Sequence, residues 1–406
     1  MPLSPAAPRR VEWREGRQRS VTRVLHVSTS LGLGGAERML SSLVTSGSRE
    51  PVAHSVVSLI PGGAYAGRLR EAGIPVTELP VGPWPPNPWP VTTLARLIRA
   101  ARPDVVQGWM YHGDLVATLA LFLSGRRRQT RLAWTLQCSR MDTRHYHRQL
   151  RAVIRLCAAL SRQADIVVSN SAAGIASHIA LGYRPRRTRI IYPGVDTERF
   201  RPDQASAPSV RHEIALPAGA PVVAHVARLD PMKDHACLLK AMQYLPDVRV
   251  LAIGPGTEAL PALPCLHRLG PRGDVERLLT ACDASVSSSA FGEGFPNSLA
   301  ESMAVGVPVA ATDVGDTSTI VGDTGCVVPP RSPEPLADAI RLLLRESPET
   351  RRSRGSRARA RVVTHFGRPR MVEEFTRLYQ ELVGNGSDGQ APAARTRATT
   401  ARSPAP

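Results

Sequence analysis

Short apolar runs alternate with amphipathic stretches along most of the chain, in two successive rounds. In the first round the apolar runs predict strands at residues 23–31, 53–60, 74–81, 104–110, 131–137, 165–171 and 188–196. The stretches between them predict helices after Gly35 and near residues 64–72, 91–101 and 144–163. Strands that alternate with helices pair in parallel, so this round predicts a parallel sheet covered by crossover helices.

A polar, proline-containing stretch at 197–210 separates this round from the second. The second round predicts strands at 221–229, 248–254, 266–269, 284–289, 308–312 and 326–330. It predicts helices at 233–245, 274–281, 298–304, 333–345 and 368–383. The expected fold class is therefore α/β, with two doubly wound, Rossmann-like domains and a ligand cleft between them at the carboxyl ends of the strands.

The same pattern sets the expected domain boundaries. They are a disordered basic N-terminus at 1–22, a first domain at 23–196, a linker at 197–220, a second domain at 221–365, a C-terminal helix at 366–383 and a disordered tail at 384–406. Both ends are poor in large apolar side chains.

We expect no transmembrane span and no secretory signal, because no apolar run reaches about 20 residues and no apolar segment precedes the first strand. Scattered cysteines fit a reducing cytosol and predict neither disulfides nor a thiolate zinc site.

The chain is strongly basic, with a formal net charge of +18. Its arginines crowd the first 23 residues and residues 341–361, aromatic residues make up only 4%, and no nucleic-acid recognition motif is present. We therefore expect no nucleic-acid partner and predict peripheral attraction to an anionic membrane surface. Only two of the 52 cationic residues are lysines, Lys233 and Lys240, which makes each of them a candidate for a specific role.

Two segments could approach a phosphate-bearing ligand. After the first strand, Gly32, Gly34 and Gly35 precede a helix, although Glu37 stands where a dinucleotide fingerprint needs its last glycine, and a simple tight turn remains an alternative. After the first strand of the second round, DPMKDH follows Arg228 and contains Lys233, and these two cations could neutralise a diphosphate. A solvated loop is the alternative interpretation.

The segment FGEGFPNSLAESMAVGVPVAATDVGD, residues 291–316, contains Glu293 and Glu301 around a turn that opens a helix. Ser298 and Glu301 have the spacing of a capping box, which would explain Glu301 without any ligand. It leaves Glu293 unexplained.

Together with SLGLGGAER, ARLDPMKDH and VGDTGCVVPP, this segment resembles glycosyltransferase family 4, whose members are retaining enzymes with the GT-B fold. The resemblance covers nearly all of residues 23–383. It implies a nucleoside-diphosphate sugar (UDP- or GDP-sugar) as donor substrate, bound by the second domain. It also implies a glycan or lipid-linked acceptor on the first domain, no further cofactor and no metal. The donor-binding residues it implies are Gly34, Gly35, Arg228, Lys233, Gly294, Phe295, Pro296, Asn297, Ser298 and Glu301. Glu301 would hold the ribose, and Arg228, Lys233 and Glu293 would form the catalytic group.

The sequence departs from the family pattern in the first domain. Many members carry a histidine after the fifth strand, where this chain reads AWTLQ at residues 133–137. His112 is the best replacement as a catalytic histidine, although a histidine in a helix cap explains it equally well. The pair His145 and His147 resembles a metal site only weakly.

The leading hypothesis is a retaining glycosyltransferase for cell-surface polysaccharide or glycolipid, on the inner face of the plasma membrane. A catalytically inactive sugar-nucleotide-binding relative is the first alternative, and a basic nucleic-acid-binding protein is the second.

Overall fold

The computed structural model describes residues 21–46, 51–79, 89–139, 148–217 and 219–384. Its strands are β1 (Thr22–Ser28), β2 (Val52–Ser58), β3 (Val76–Glu78), β4 (Val105–Trp109), β5 (Arg131–Leu136), β6 (Ile166–Ser169), β7 (Thr188–Ile190), β8 (Val222–Val226), β9 (Arg249–Ile253), β10 (Leu266–Gly270), β11 (Ala284–Ser287), β12 (Val309–Thr312) and β13 (Cys326–Val328). Its helices are α1 (Gly35–Ser46), α2 (Ala64–Glu71), α3 (Trp89–Ala101), α4 (Met110–Leu123), α5 (Arg148–Leu160), α6 (Ala172–Ala180), α7 (Ala207–Glu213), α8 (His235–Met242), α9 (Val275–Thr280), α10 (Asn297–Val305), α11 (Thr317–Val321), α12 (Pro333–Arg345), α13 (Pro348–Phe366) and α14 (Arg368–Gly384).

These strands form two parallel sheets, which confirms the predicted fold class. The first has the order β3-β2-β1-β4-β5-β6-β7, and the second has the order β10-β9-β8-β11-β12-β13. We call each sheet with its helices the first domain and the second domain. The strand order reverses between β1 and β4 and between β8 and β11. Ligand crevices of doubly wound sheets lie outside the carboxyl ends of the strands at such reversals.

Helices cover both faces of the first sheet, so its central strands carry no polar alternation. All five residues of β4 are buried. Residues of α1, α2 and α14 form the core on one face, and residues of α3, α4 and α5 form the core on the other.

The last helix, α14, returns from the second domain to the first. Its Phe375 and Tyr379 are fully buried in the core that includes α1, and the Tyr379 hydroxyl donates to the Gln107 side chain.

The chain crosses between the domains at two places, and these two segments lie side by side. Val195 N donates to Phe366 O at 2.8 Å, and Arg368 N donates to Val195 O at 3.0 Å. A hinge between the domains therefore consists of two adjacent backbone segments.

Part of the predicted linker is helical. Within it, α7 buries Val210 completely against Leu278 and Ala281, so these residues pack as part of the second domain. The predicted disordered ends up to residue 20 and from residue 385 lie outside the described residues, as do His145 and His147.

The helix α13 lies in the arginine-rich stretch, where no helix was predicted. Its buried face consists of Gly355, Ala358, Val362 and Phe366, which gives only a weak apolar periodicity. Most of its arginines bind within the domain. Arg359 donates to the carbonyls of Phe200 and Ala304 at 2.9 and 2.5 Å, and Arg361 donates to those of Ile320 and Thr319 at 2.8 and 2.6 Å. Others pair with carboxylates: Arg351 with Asp283, Arg354 with Glu346 and Arg357 with Asp323.

Two histidines form a pair on the sheet face that α14 covers. Trp109 Nε1 donates to His26 Nδ1 at 3.1 Å, so His26 Nε2 must donate to His54 Nδ1 at 3.0 Å. Both rings lie edge-on to the Tyr379 ring. Burial lowers the pKa of both histidines, that of His26 well below its ordinary value and that of His54 to about 4.

We expect this pair to make the protein acid-labile. The ordinary histidine pKa is 6.5. As the pH falls from there towards about 4, these histidines are protonated in the unfolded chain but stay neutral in the folded chain. Each such histidine then lowers the free energy of unfolding by up to about 1.4 kcal/mol per pH unit in that window. The substitution His54→Gln should reduce the loss of stability between about pH 7 and about pH 5, as measured by urea denaturation. The same loss in variant and wild type would contradict this assignment.

Candidate active site

A cavity of about 340 Å³ lies between the two domains. The first domain contributes residues that follow β1, β4, β5 and β6, and the second contributes residues that follow β8 and β11. They are Gly35, Met110, Gln137, Cys138 and Asn170 from the first domain, and Arg228, Met232, Lys233, Phe291, Gly292, Glu293, Gly294, Phe295, Asn297 and Ser298 from the second. The cavity therefore lies at the strand-order reversals of both sheets.

Both predicted cations line this cavity. Arg228 is the more accessible, with 56% of its side chain exposed and its guanidinium 2.9 Å from the Asp230 carboxylate. Lys233 is only 15% exposed and forms an ion pair with Glu293. Asp230 also accepts from Met232 N at 2.9 Å, which fixes the short turn that carries Lys233 into the cavity.

Glu293 has hydrogen-bond partners in both domains. Its side chain is 8% exposed, and its Oε1 accepts from Lys233 and from Ser289 Oγ, the latter at 2.7 Å. Its backbone carbonyl accepts from Ser139 Oγ of the first domain. Removing one partner from a buried ion pair is strongly destabilising, so Glu293 and Lys233 stabilise each other in the protein without ligand.

The amino end of α10 faces the cavity without a side-chain cap. The helix begins at Asn297, and Pro296 is the capping residue. The predicted capping box is therefore wrong: Ser298 lies inside the first turn, where its carbonyl accepts from Ser302 Oγ at 2.9 Å. Uncapped amides at a helix amino end carry partial positive charge and are suited to bind an anion.

Glu301 lies one turn further along α10 and does not line the cavity. Its side chain is 5% exposed and forms an ion pair with Arg38 of α1, across the boundary between the domains. Arg38 is therefore the partner of the Glu301 carboxylate in the protein without ligand.

The predicted glycines differ in what their surroundings require. A Cβ on Gly294 would clash with the Asn170 side chain and lie 2.9 Å from Ser171 Oγ, so only glycine lets this loop approach the first domain. A Cβ on Gly34 would meet only the end of the flexible Glu37 side chain, and Gly34 does not line either cavity of the cleft. Gly35 lies opposite Asn297, where a Cβ would be 3.6 Å from Nδ2.

A second cavity, of about 390 Å³, continues into the first domain. It shares Gly35, Met110 and Gln137 with the first cavity and is also lined by Ser28, Thr29, Ser30, Ala36, Glu37, Trp109, Tyr111, His112 and Leu150. His112 lies in the first turn of α4 and is exposed, and the surrounding protein lowers its pKa by desolvation. Ser30 Oγ donates to Glu37 Oε1 at 2.7 Å.

Sequence reasoning missed several lining residues of the first domain, among them Met110, Gln137 and Asn170. Each follows directly on a strand of the first sheet, and that position is the signal that could have identified them. Met110 has a φ of 64°, a left-handed conformation that is strained for a residue with a side chain. Such strain is decided by tertiary contacts and is not visible in the sequence.

A larger cavity, of about 670 Å³, lies behind the second domain, between α13 and the carboxyl end of α10. It includes Asp283 and Pro308, which precede β11 and β12, so it lies at the amino edge of the sheet. Its Arg359 is already bound to backbone carbonyls. Its position at the amino edge of the sheet and its already bound arginine do not suit this cavity to bind a phosphate-bearing ligand.

Among the described residues, no group of three or more His, Cys, Asp or Glu side chains is placed to hold a metal ion. No helix in the described parts of the chain is both long and apolar enough to cross a membrane.

Comparisons with known proteins agree with this geometry. The model of Glycosyltransferase Family 4 matches residues 33–199, and that of Glycosyl transferases group 1 matches residues 220–346. The chain is 32% identical over 241 residues to the D-inositol 3-phosphate glycosyltransferases of Mycobacterium tuberculosis and Mycobacterium bovis. This alignment covers 55% of the chain and spans half the length of these relatives.

Solved structures match over most of the chain. HepE of Anabaena, in complex with UDP-glucose, superposes with a TM-score of 0.76 at 22% identity, covering 88% of this chain and 99% of its own. Sucrose-phosphate synthase of Thermosynechococcus elongatus gives a TM-score of 0.69 at 19% identity, covering 90% of this chain and 100% of its own. These structures show that the two facing domains have the GT-B fold.

Proposed function

Because the chain belongs to glycosyltransferase family 4, we propose that it is a retaining enzyme that transfers a sugar from a nucleoside-diphosphate sugar to a glycan or lipid-linked acceptor. One observation carries the proposal: Arg228, Lys233 and the uncapped amino end of α10 converge on a single cavity between the domains. This cluster of positive charge suits a diphosphate.

The donor diphosphate binds in this cavity. Negative charge develops on the leaving phosphate as the glycosidic bond breaks, and groups already oriented towards that charge lower the barrier. Lys233 has three hydrogen-bond donors, of which Glu293 engages one, so the ammonium can bind phosphate while the pair stays intact. Glu293 is thus an orienting and electrostatic group, and the acceptor hydroxyl attacks on the face that the diphosphate leaves. No metal takes part in this scheme.

The acceptor enters the second cavity, which joins the first at Gly35, Met110 and Gln137. Its lining offers hydroxyl groups and the Glu37 carboxylate, which are partners for the hydroxyls of a sugar. His112 is the candidate base there, because desolvation lowers its pKa and so favours the neutral imidazole, which can accept a proton.

The donor proposal predicts that nucleotide sugars stabilise the protein. UDP-glucose, which HepE binds, and GDP-mannose are the first two to test by thermal shift, because a ligand at about 100 times its Kd adds about 2.7 kcal/mol of stability. Release of nucleoside diphosphate, and the anomeric configuration of the product by NMR, then test transfer and retention. A thermal shift without turnover would identify the inactive relative. A screen of nucleotide sugars without any shift would refute the proposal.

A matched pair of variants tests Glu301 as the ribose ligand. Glu301→Gln removes a charge-assisted hydrogen bond to the ribose, worth roughly 1.5–3 kcal/mol, and should weaken donor binding about ten- to a hundredfold by calorimetry. Arg38→Met breaks the same interdomain ion pair but leaves the Glu301 carboxylate in place, so it should bind donor at least as tightly as wild type. Equal weakening in both variants would mean that Glu301 acts only through Arg38.

We further propose that the enzyme works on the cytosolic face of an anionic membrane, where a lipid-linked acceptor would lie. The first domain exposes Phe122 and Leu123 at the end of α4, and the exposed Arg99 of α3 donates to the Leu123 carbonyl at 3.3 Å. Apolar side chains beside arginines suit the interface of an anionic bilayer.

Liposome flotation tests this proposal. Wild type should float with anionic but not with neutral liposomes at low salt, and Phe122→Glu should reduce the floating fraction several-fold because it sets a negative charge against the bilayer. Leu342→Glu is the control, since Leu342 is 57% exposed on α12 of the second domain. Equal flotation with both lipids, or equal losses in the two variants, would contradict this orientation.

A further inference from the structure

Asp316 of the second domain binds the amino end of α6 in the first domain. Its two carboxylate oxygens accept from Ala172 N at 2.8 Å and from Ala173 N at 2.9 Å. The Tyr192 hydroxyl donates to it at 3.0 Å. Asp316 is 5% exposed, so three hydrogen bonds satisfy a buried carboxylate, two of them from backbone amides of α6.

This contact replaces a local one. Asp316 occupies the capping position of its own helix, α11, where aspartate commonly accepts from the amides of the first turn. Its side chain makes no such bond there. On α6, Ser171 Oγ caps only Gly174 N, at 3.0 Å, and the preceding two amides depend on Asp316. The carboxylate thus serves the helix of the other domain instead of its own.

The same residue supports the loop that lines the donor cavity. Asp316 N donates to Gly294 O at 3.0 Å. Gly315 has a φ of +68°, and a Cβ there would clash with the carbonyl of Glu293. On its other side this loop meets Asn170 and Ser171, the residues directly before α6. Asp316 therefore holds both the helix and the loop that packs against it.

We propose that Asp316 is a positioning residue, which caps α6 across the cleft and thereby fixes the loop of Glu293 and Gly294 against the first domain in the donor-binding arrangement. The expected effect on donor kinetics rests on the proposed function, whereas the contact between Asp316 and α6 does not. Tyr192 belongs to the same contact: burial, together with the neighbouring Asp316 carboxylate, raises its pKa to about 12. Its ring packs on Phe366, which lies at the chain crossings between the domains, so the Asp316 contact lies close to the hinge.

Hydrogen exchange followed by mass spectrometry tests the contact in the full chain without any ligand. Asp316→Ala should speed exchange in the peptide that carries Ala172 and Ala173, and small-angle scattering should show a larger radius of gyration. Asp313→Asn is the matched control, because Asp313 is exposed in the same loop and its carboxylate accepts from Ser318 of its own domain. Unchanged exchange in Asp316→Ala would overturn the proposal.

Donor kinetics test the consequence. Losing a carboxylate and its hydrogen bonds at a helix amino end should shift the equilibrium between domain arrangements about tenfold against the competent one. The donor KM should then rise by up to the same factor. Asp316→Asn, which keeps one acceptor oxygen, should recover part of this loss, whereas a merely destabilised protein would lose active fraction at constant KM. Faster exchange with wild-type KM and radius would reduce Asp316 to a local cap and overturn the proposal. If wild type itself transfers no sugar, the proposed function fails, and exchange and scattering still decide the role of Asp316.

Discussion

Parallel strand pairing is the constraint on which the rest of this structure depends. Every strand of a parallel sheet delivers its following loop to the same edge, so residues distant in sequence collect there. The chain does this twice, and the two carboxyl edges face each other across one cleft. The donor cavity exists only because the loops after β1 and β4 meet those after β8 and β11.

The two edges meet through charges that already have partners. Lys233 pairs with Glu293 inside the second domain, Arg38 pairs with Glu301 across the boundary, and Asp316 binds backbone amides of the other domain. An unpaired buried charge would cost several kcal/mol. The Arg38–Glu301 pair and the Asp316 contact therefore hold the two domains together without a ligand. A ligand that enters must replace these contacts or add to them.

The net charge of +18 describes this electrostatics poorly. Most of the arginines on α13 form ion pairs or donate to carbonyls at the carboxyl ends of α10 and α11. A guanidinium has five donors in a rigid fork and is well suited to such sites. The positive charge of α13, which looks like a binding surface in the sequence, therefore holds the second domain together.

The sequence alone determined the fold class, because apolar runs separated by amphipathic stretches leave a parallel sheet as the arrangement that buries them on both faces. It also placed Arg228 and Lys233 after the first strand of the second domain, at the edge that faces the cleft, whereas the family resemblance assigned the loop from Glu293 to Ser298 to the same site. It did not reveal α13, whose apolar face is too weak to produce a period. Nor could it show the start of α10 at Asn297, the left-handed Met110, or the partners of Glu301 and Asp316. These depend on how closely two separately folded edges approach, and only tertiary packing sets that distance.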